Sequence, residues 1–131
     1  MLSGICGREA TVKDTDRMVA WLREAMGAAE TIAKAAAERA WSPHWEYDDC
    51  VHQIRDLNNC NELADIQLPE IGAFVEANDP AAVLRRIVAD RKTLDDCDDI
   101  LHDFVFGAFR KLAEDAIRNL AEGYGWTEGT T

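Results

Sequence analysis

The sequence predicts an α+β, mostly α domain: three main helices and a short helix packed with a two-stranded β-hairpin. Three observations predict it. Apolar residues recur at three- and four-residue steps over 14–40, 79–96 and 98–123, the spacing that lines one face of a helix. After Pro43 that spacing gives way to a rough alternation, the pattern of a half-buried strand. The length, 131 residues, suits one domain, which buries roughly two-thirds of its unfolded surface without staples.

The elements follow in order. Residues 1–13 read as a flexible N-terminus with no basic start, so a signal peptide is not expected. Helix 14–40 opens on Asp14, Thr15 and Asp16, which can cap it and complement its dipole. Met18, Leu22, Ala25, Ala29, Ile32 and Ala36 make its stripe, widened by Val19, Met26, Ala33 and Ala37. Its Ala-rich second half allows a second helix to approach closely, either in the core or as the seam of a homodimer.

Pro43 ends this helix, because proline and the residue before it resist helical geometry. The hairpin is expected over 44–66. One strand lies in "WEYDDCVHQIRDL", a turn in "NNCN", and "ELADI" returns. A short helix over 69–77 opens at Pro69. In 79–96 Asp79 stands as N-cap and Pro80 at the first helical position, where a missing N–H costs nothing. "DDCDD" is expected to interrupt the chain before helix 98–123, whose stripe runs through Leu101, Phe104, Val105, Ala108, Leu112, Ala116 and Leu120. Gly123 and Gly125 end it. The tail, 124–131, carries Trp126 where it can fold back.

The formal net charge is −11, unevenly placed. Residues 1–40 balance, whereas 41–78 hold eight acids against the single base Arg55. Phosphate binding needs the opposite sign, so direct nucleic-acid contact is not expected. No apolar run reaches the roughly 20 residues of a membrane span. Together these features point to a cytoplasmic protein with a basic protein partner. Cys6, Cys50, Cys60 and Cys97 then read as reduced thiols.

The order of motifs resembles a group of small uncharacterised proteins of actinobacteria and their phages. The resemblance rests on the "SP-x-W" turn, Ser42, Pro43, His44 and Trp45, and on Ile71, Asp79, Pro80, Val83, Leu84 and Arg91-Lys92 within "NDPAAVLRRIVADRKTLDD". It covers residues 14 to about 96. It implies the order of elements and the compartment, and no activity.

Among chemical candidates, Cys50, His52, Cys60 and Cys97, or His102 in place of Cys97, offer the ligand types zinc prefers. In a hairpin strand Cys50 and His52 would share a face. The spacing is not that of paired CxxC knuckles, and buried or half-exposed thiols are the plainer reading. Cys97 with His102 would make a poor nucleophile, because the flanking aspartates raise a thiol pKa. Asp95, Asp96, Asp98, Asp99 and Asp103 read as a solvated helix junction in the absence of a glycine-turned calcium loop. Phosphate-loop, dinucleotide-binding, zinc-protease and nucleophile-elbow motifs are absent, so no enzyme and no cofactor is expected. The favoured site is instead a partner-binding face of Trp41, Asp48, Asp49, Asp56 and Glu62, an acidic hairpin surface flanked by an exposed aromatic.

Overall fold

The computed structural model describes the backbone of residues 2–129 and the side chains of residues 14–103 and 107–129. It is mostly helical, in the order α1 (Leu2–Arg39), β1 (Trp45–Asp48), β2 (Gln53–Asp56), β3 (Glu62–Asp65), α2 (Pro69–Ala77), α3 (Pro80–His102), a 3-10 helix (Phe104–Phe109) and α4 (Arg110–Gly123). By its contacts the chain divides into two compact units, residues 28–88 and residues 1–27 with 89–131.

The unit of residues 28–88 carries the sheet. Where a two-stranded hairpin was expected, three antiparallel strands pair in the order β1-β2-β3. The segment read as one strand is broken by a loop, residues 49–52, that contains neither glycine nor proline. Its turn chemistry comes from Asp48, whose Oδ1 accepts the N–H of Cys50 at 2.9 Å, and from His52, which adopts a φ of 57°. A short Asx acceptor and a left-handed residue do the work glycine usually does. The second loop is organised by Asp56. Its carboxylate accepts the N–H groups of Asn59 at 2.6 Å and Asn61 at 2.9 Å, and its carbonyl takes that of Cys60 at 3.0 Å.

Helix α2 lies on β1 and β2, and Gly72 sets the approach: a Cβ there would overlap the ring of Tyr47. As expected, Asp79 caps α3, its Oδ1 accepting the N–H of Ala82 at 2.9 Å. Its Oδ2 accepts the N–H of Trp45 at 3.0 Å, and Glu76 Oε1 accepts that of Tyr47 at 2.8 Å. Both N–H groups lie on the side of β1 away from β2. The sheet edge is therefore closed by two carboxylates, which prevents pairing with another strand. Ala33, Ala40, Ile54 and Ile87 form the buried apolar positions of this unit.

Among the described residues of the other unit, the buried apolar positions are Met18, Val19, Leu22 and Met26 of α1, Leu94, Cys97 and Leu101 of α3, and Ala113, Ile117 and Ala121 of α4. Three helix boundaries differ from the sequence expectation. Helix α1 begins at Leu2, so residues 2–13 of the segment read as flexible lie within it, and residue 1 lies outside the described residues. Asp14 does not cap but pairs with Arg17 at 3.3 Å, and Thr15 is buried. Helix α3 runs through "DDCDD" to His102, because Leu94, Cys97 and Leu101 keep a buried stripe while Arg23 pairs with Asp95 at 2.8 Å and Asp98 at 3.6 Å. A 3-10 segment then separates α3 from α4, and the buried stripe of α4 shifts by one residue, leaving Leu112 exposed.

Ile32, expected in the stripe of α1, is likewise exposed, about 100° round the helix from buried Ala33. The end of α4 conforms to expectation. Gly125, at φ 107°, donates to the carbonyl of Glu122, and Trp126 donates to that of Ala121, a Schellman closure. Trp126 then folds back edge-on against Trp21, with ring centroids 5.4 Å apart. The last two residues of the expected tail, 130 and 131, lie outside the described residues.

Candidate functional site

Strand register decides which side chains meet. Between β1 and β2, Trp45 stands opposite Asp56, Glu46 opposite Arg55, Tyr47 opposite Ile54 and Asp48 opposite Gln53. Between β2 and β3, Gln53 pairs with Asp65, Ile54 with Ala64 and Arg55 with Glu62, and Leu63 is bulged. Directly opposite residues share a face. One face therefore carries Trp45, Tyr47, Ile54, Asp56 and Ala64. The other carries Glu46, Asp48, Gln53, Arg55, Glu62 and Asp65.

The bulge matters here. Residues three apart in a regular strand point to opposite sides. The extra residue restores Glu62 and Asp65 to one side. Four carboxylates thus share this face with one guanidinium. Arg55 spends its charge first on Asp48, at 2.8 Å. A hydrogen bond with Asp65 and that neighbour's charge push the Glu62 carboxyl up, partial desolvation adds to the shift, and Arg55 opposes it. The β3 side of the face is short of positive charge.

The residues anticipated for partner binding separate into three groups. Asp48 and Glu62 lie on this face, Glu62 exposed and Asp48 half-buried. Asp49 is exposed in the β1–β2 loop, and Trp41, 64% exposed, stands just past α1 with a φ of 61°. Asp56 differs from the expectation: it is fully buried on the opposite face, with both oxygens held by turn N–H groups. Burial would push its carboxyl up, but the hydrogen bonds from Asn59, Asn61 and Asn58 outweigh that and hold it below the usual range. It is a turn former, unavailable to a partner.

Within the unit of residues 28–88, Cys50, His52 and Cys60 are not brought together as one ligand group. Cys50 and His52 sit in the 49–52 loop, not on a strand, so the expected shared face does not apply. His52 Nδ1 is 3.3 Å from the Tyr47 hydroxyl, and Cys60 lies in the other loop at φ 56°. Cys97 is buried in the second unit, where burial pushes its thiol up and Asp96 adds to that shift. Among the described residues, ligand atoms within 4.8 Å of one another occur at Asp48, Asp49 and Cys50 and at Asp16, Asp98 and His102. The second group is an ion-pair chain. His102 Nδ1 lies 2.8 Å from the Asp98 carbonyl and 3.3 Å from its carboxylate, and Nε2 lies 3.6 Å from Asp16. The carbonyl contact and both carboxylates push the imidazole up, against partial burial and Arg110.

Glu46, Arg55 and Asp65 were not among the expected site residues. Arg55 was visible as the only base of 41–78, and Glu46 alternates with Asp48. The position of Asp65 was hidden by the bulge.

Fold and site together define a small, mostly helical protein whose three-stranded antiparallel sheet presents a carboxylate-rich face. The chain belongs to a family of unknown function, DUF6221, whose family model matches residues 15–125. No curated protein and no solved structure matches it. Among the described residues no helix is long and apolar enough to cross a membrane.

Proposed function

We propose that this is a non-enzymatic interaction protein of an actinobacterium or one of its phages, whose acidic sheet face binds a basic protein surface. The observation that carries the reading is the gathering of Glu46, Asp48, Glu62 and Asp65 about the single cation Arg55. A partner's Lys or Arg beside Glu62 and Asp65 would supply the charge those carboxylates lack. Complementarity of this kind steers association and selects partners more than it adds affinity. The motif resemblance supports the source, and free Cys50, Cys60 and Cys97 suit the reducing cytoplasm.

Affinity capture of the tagged protein from actinobacterial lysate, at low and at moderate salt, tests this reading. One protein enriched at low salt and depleted at moderate salt is the expected result, because screening weakens exposed charge pairs. Partners indifferent to salt would contradict it. A homodimer through the Ala-rich half of α1 is the second reading, favoured by Ala28, Thr31, Ile32 and Ala35, which are exposed. Sedimentation at several concentrations separates the two.

A further inference from the structure

The last residue of α3, His102, presents its two ring nitrogens to two different helices. Nδ1 lies 2.8 Å from the Asp98 carbonyl and 3.3 Å from the Asp98 carboxylate, both on its own helix. Nε2 lies 3.6 Å from the carboxylate of Asp16 on α1. A carbonyl oxygen can only accept, so Nδ1 carries a proton whether the ring is charged or neutral. The proton that comes and goes is therefore the one on Nε2, the nitrogen that faces α1.

The two states differ in what joins the helices. With Nε2 protonated, an imidazolium stands between the carboxylates of Asp16 and Asp98 and attracts both. With Nε2 bare, its lone pair faces the Asp16 carboxylate and the attraction between α1 and α3 at this point is gone. The bond to the Asp98 carbonyl survives, so the ring stays on α3 and releases α1 alone. All of these residues belong to one compact unit.

Among the described residues, the charged groups around the ring come from three helices. Asp16 stands on α1 and Asp98 on α3, where Asp98 also pairs with Arg23 of α1 at 3.6 Å. From α4, Arg110 and Glu114 line a cavity of about 40 Å³ together with Thr15, Asp16, Leu101 and His102. Thr15 and Leu101 are its buried members, whereas His102 and Asp16 are more than half exposed. Arg110 opposes a charge on the ring, with its guanidinium held on the Leu101 carbonyl at 2.8 Å. The Asp98 carbonyl contact and the two carboxylates outweigh Arg110 and partial burial, and push the imidazole above its ordinary 6.5. A histidine shifted in that direction changes charge close to neutral pH.

We propose that His102 is a proton-operated clamp: its Nε2–H ties α1 to the end of α3 in mild acid, and loss of that proton loosens this wall of the cavity. Arg23, on Asp95 at 2.8 Å and Asp98 at 3.6 Å, keeps its hold in both states, so the change is local to the His102 end. The ring gains its partners only on folding. Its attraction is therefore complete below the unfolded value and fades as pH rises through the folded one.

The test follows the histidine ring protons of the whole protein by NMR as pH is raised from about 5 to about 8.5, with His102→Gln identifying the His102 signal. The midpoint should lie above 6.5 and should fall in Asp16→Asn. Urea unfolding of the wild type and of Asp16→Asn, each near both ends of that range, reads the clamp itself, because all other titrations cancel in the comparison. At the acid end the folding constant of the wild type should exceed that of Asp16→Asn by about two- to fivefold, the range of an exposed ion pair. At the alkaline end the difference should shrink or vanish. In a His102→Gln background, which has no imidazole proton to lose, Asp16→Asn should have the same effect at both ends. A His102 midpoint unmoved by Asp16→Asn overturns the proposal. An Asp16→Asn effect in the wild-type background that is equal at the two ends, or larger at the alkaline end, overturns it too.

Discussion

Asp79 holds the N–H of Trp45 at 3.0 Å with one carboxylate oxygen and caps α3 with the other. One side chain thus fixes both the start of a helix and the outer edge of the sheet. Asp79→Ala removes a cap worth about 1 kcal/mol. It also leaves a part-buried N–H without its acceptor, at a further cost of about 1–3 kcal/mol. Urea unfolding should show a loss of about 2–4 kcal/mol, and Asp79→Asn, which keeps an acceptor for the cap, should lose less. Equal losses would mean that the charge itself holds the edge.

Gly72 is required by Tyr47. Gly72→Ala places a methyl group against the ring, and overpacking of this kind costs about 1–3 kcal/mol. Helix propensity alone predicts the reverse sign, since alanine is favoured over glycine inside a helix. A more stable variant in chemical denaturation would show that α2 is free to move off the sheet.

Asp56 makes the fold acid-sensitive in a predictable direction. Its carboxyl is held below its ordinary value of 3.8 by turn N–H groups that outweigh burial. A depressed pKa contributes stability that is complete above the unfolded value and is lost as pH falls through the folded one. Unfolding followed from pH 5 downward should therefore steepen below about pH 3.8, and Asp56→Asn should flatten that part of the curve. An unchanged slope would remove Asp56 from the account of the turn.

Trp41 sits at φ 61° with most of its ring in solvent. A left-handed conformation costs an L-residue about 1–2 kcal/mol, which glycine avoids. Part of that gain is offset by the extra freedom of glycine in the unfolded chain. Trp41→Gly should thus stabilise the fold by up to about 1 kcal/mol while weakening partner binding. Loss of stability would show that the indole packs where the structure has it exposed.

The sequence was most legible where backbone chemistry is local. Asp79 followed by Pro80 marks a helix start, Gly125 a helix end and Pro69 the opening of α2, and each lies where its residue type dictates. The stripe through Met18, Leu22 and Met26 was equally plain. Legibility failed where distant parts decide. The 49–52 loop has no glycine or proline, and its turn depends on Asp48 and a left-handed His52. The aspartate run at 95–99 resembles a break, yet burial of Leu94 and Cys97 and the partner Arg23 carry α3 through it. Asp56 was read as a surface charge because a buried carboxylate looks the same in sequence as an exposed one. The acidic face was half visible. Asp48 and Glu62 were singled out, whereas Asp65 joins them only through the bulge at Leu63.

Recognition of a cationic partner by the uncompensated carboxylates on the outer sheet face, as proposed, is open to direct test. The most direct measurement is the affinity of the captured, purified partner at low and moderate salt for the wild type and for the variant Glu46→Gln, Glu62→Gln, Asp65→Asn. The wild type should bind more weakly as salt rises, and the variant should bind weakly at both salts with a much smaller salt dependence. Equal affinities and equal salt dependence in the two proteins would contradict it.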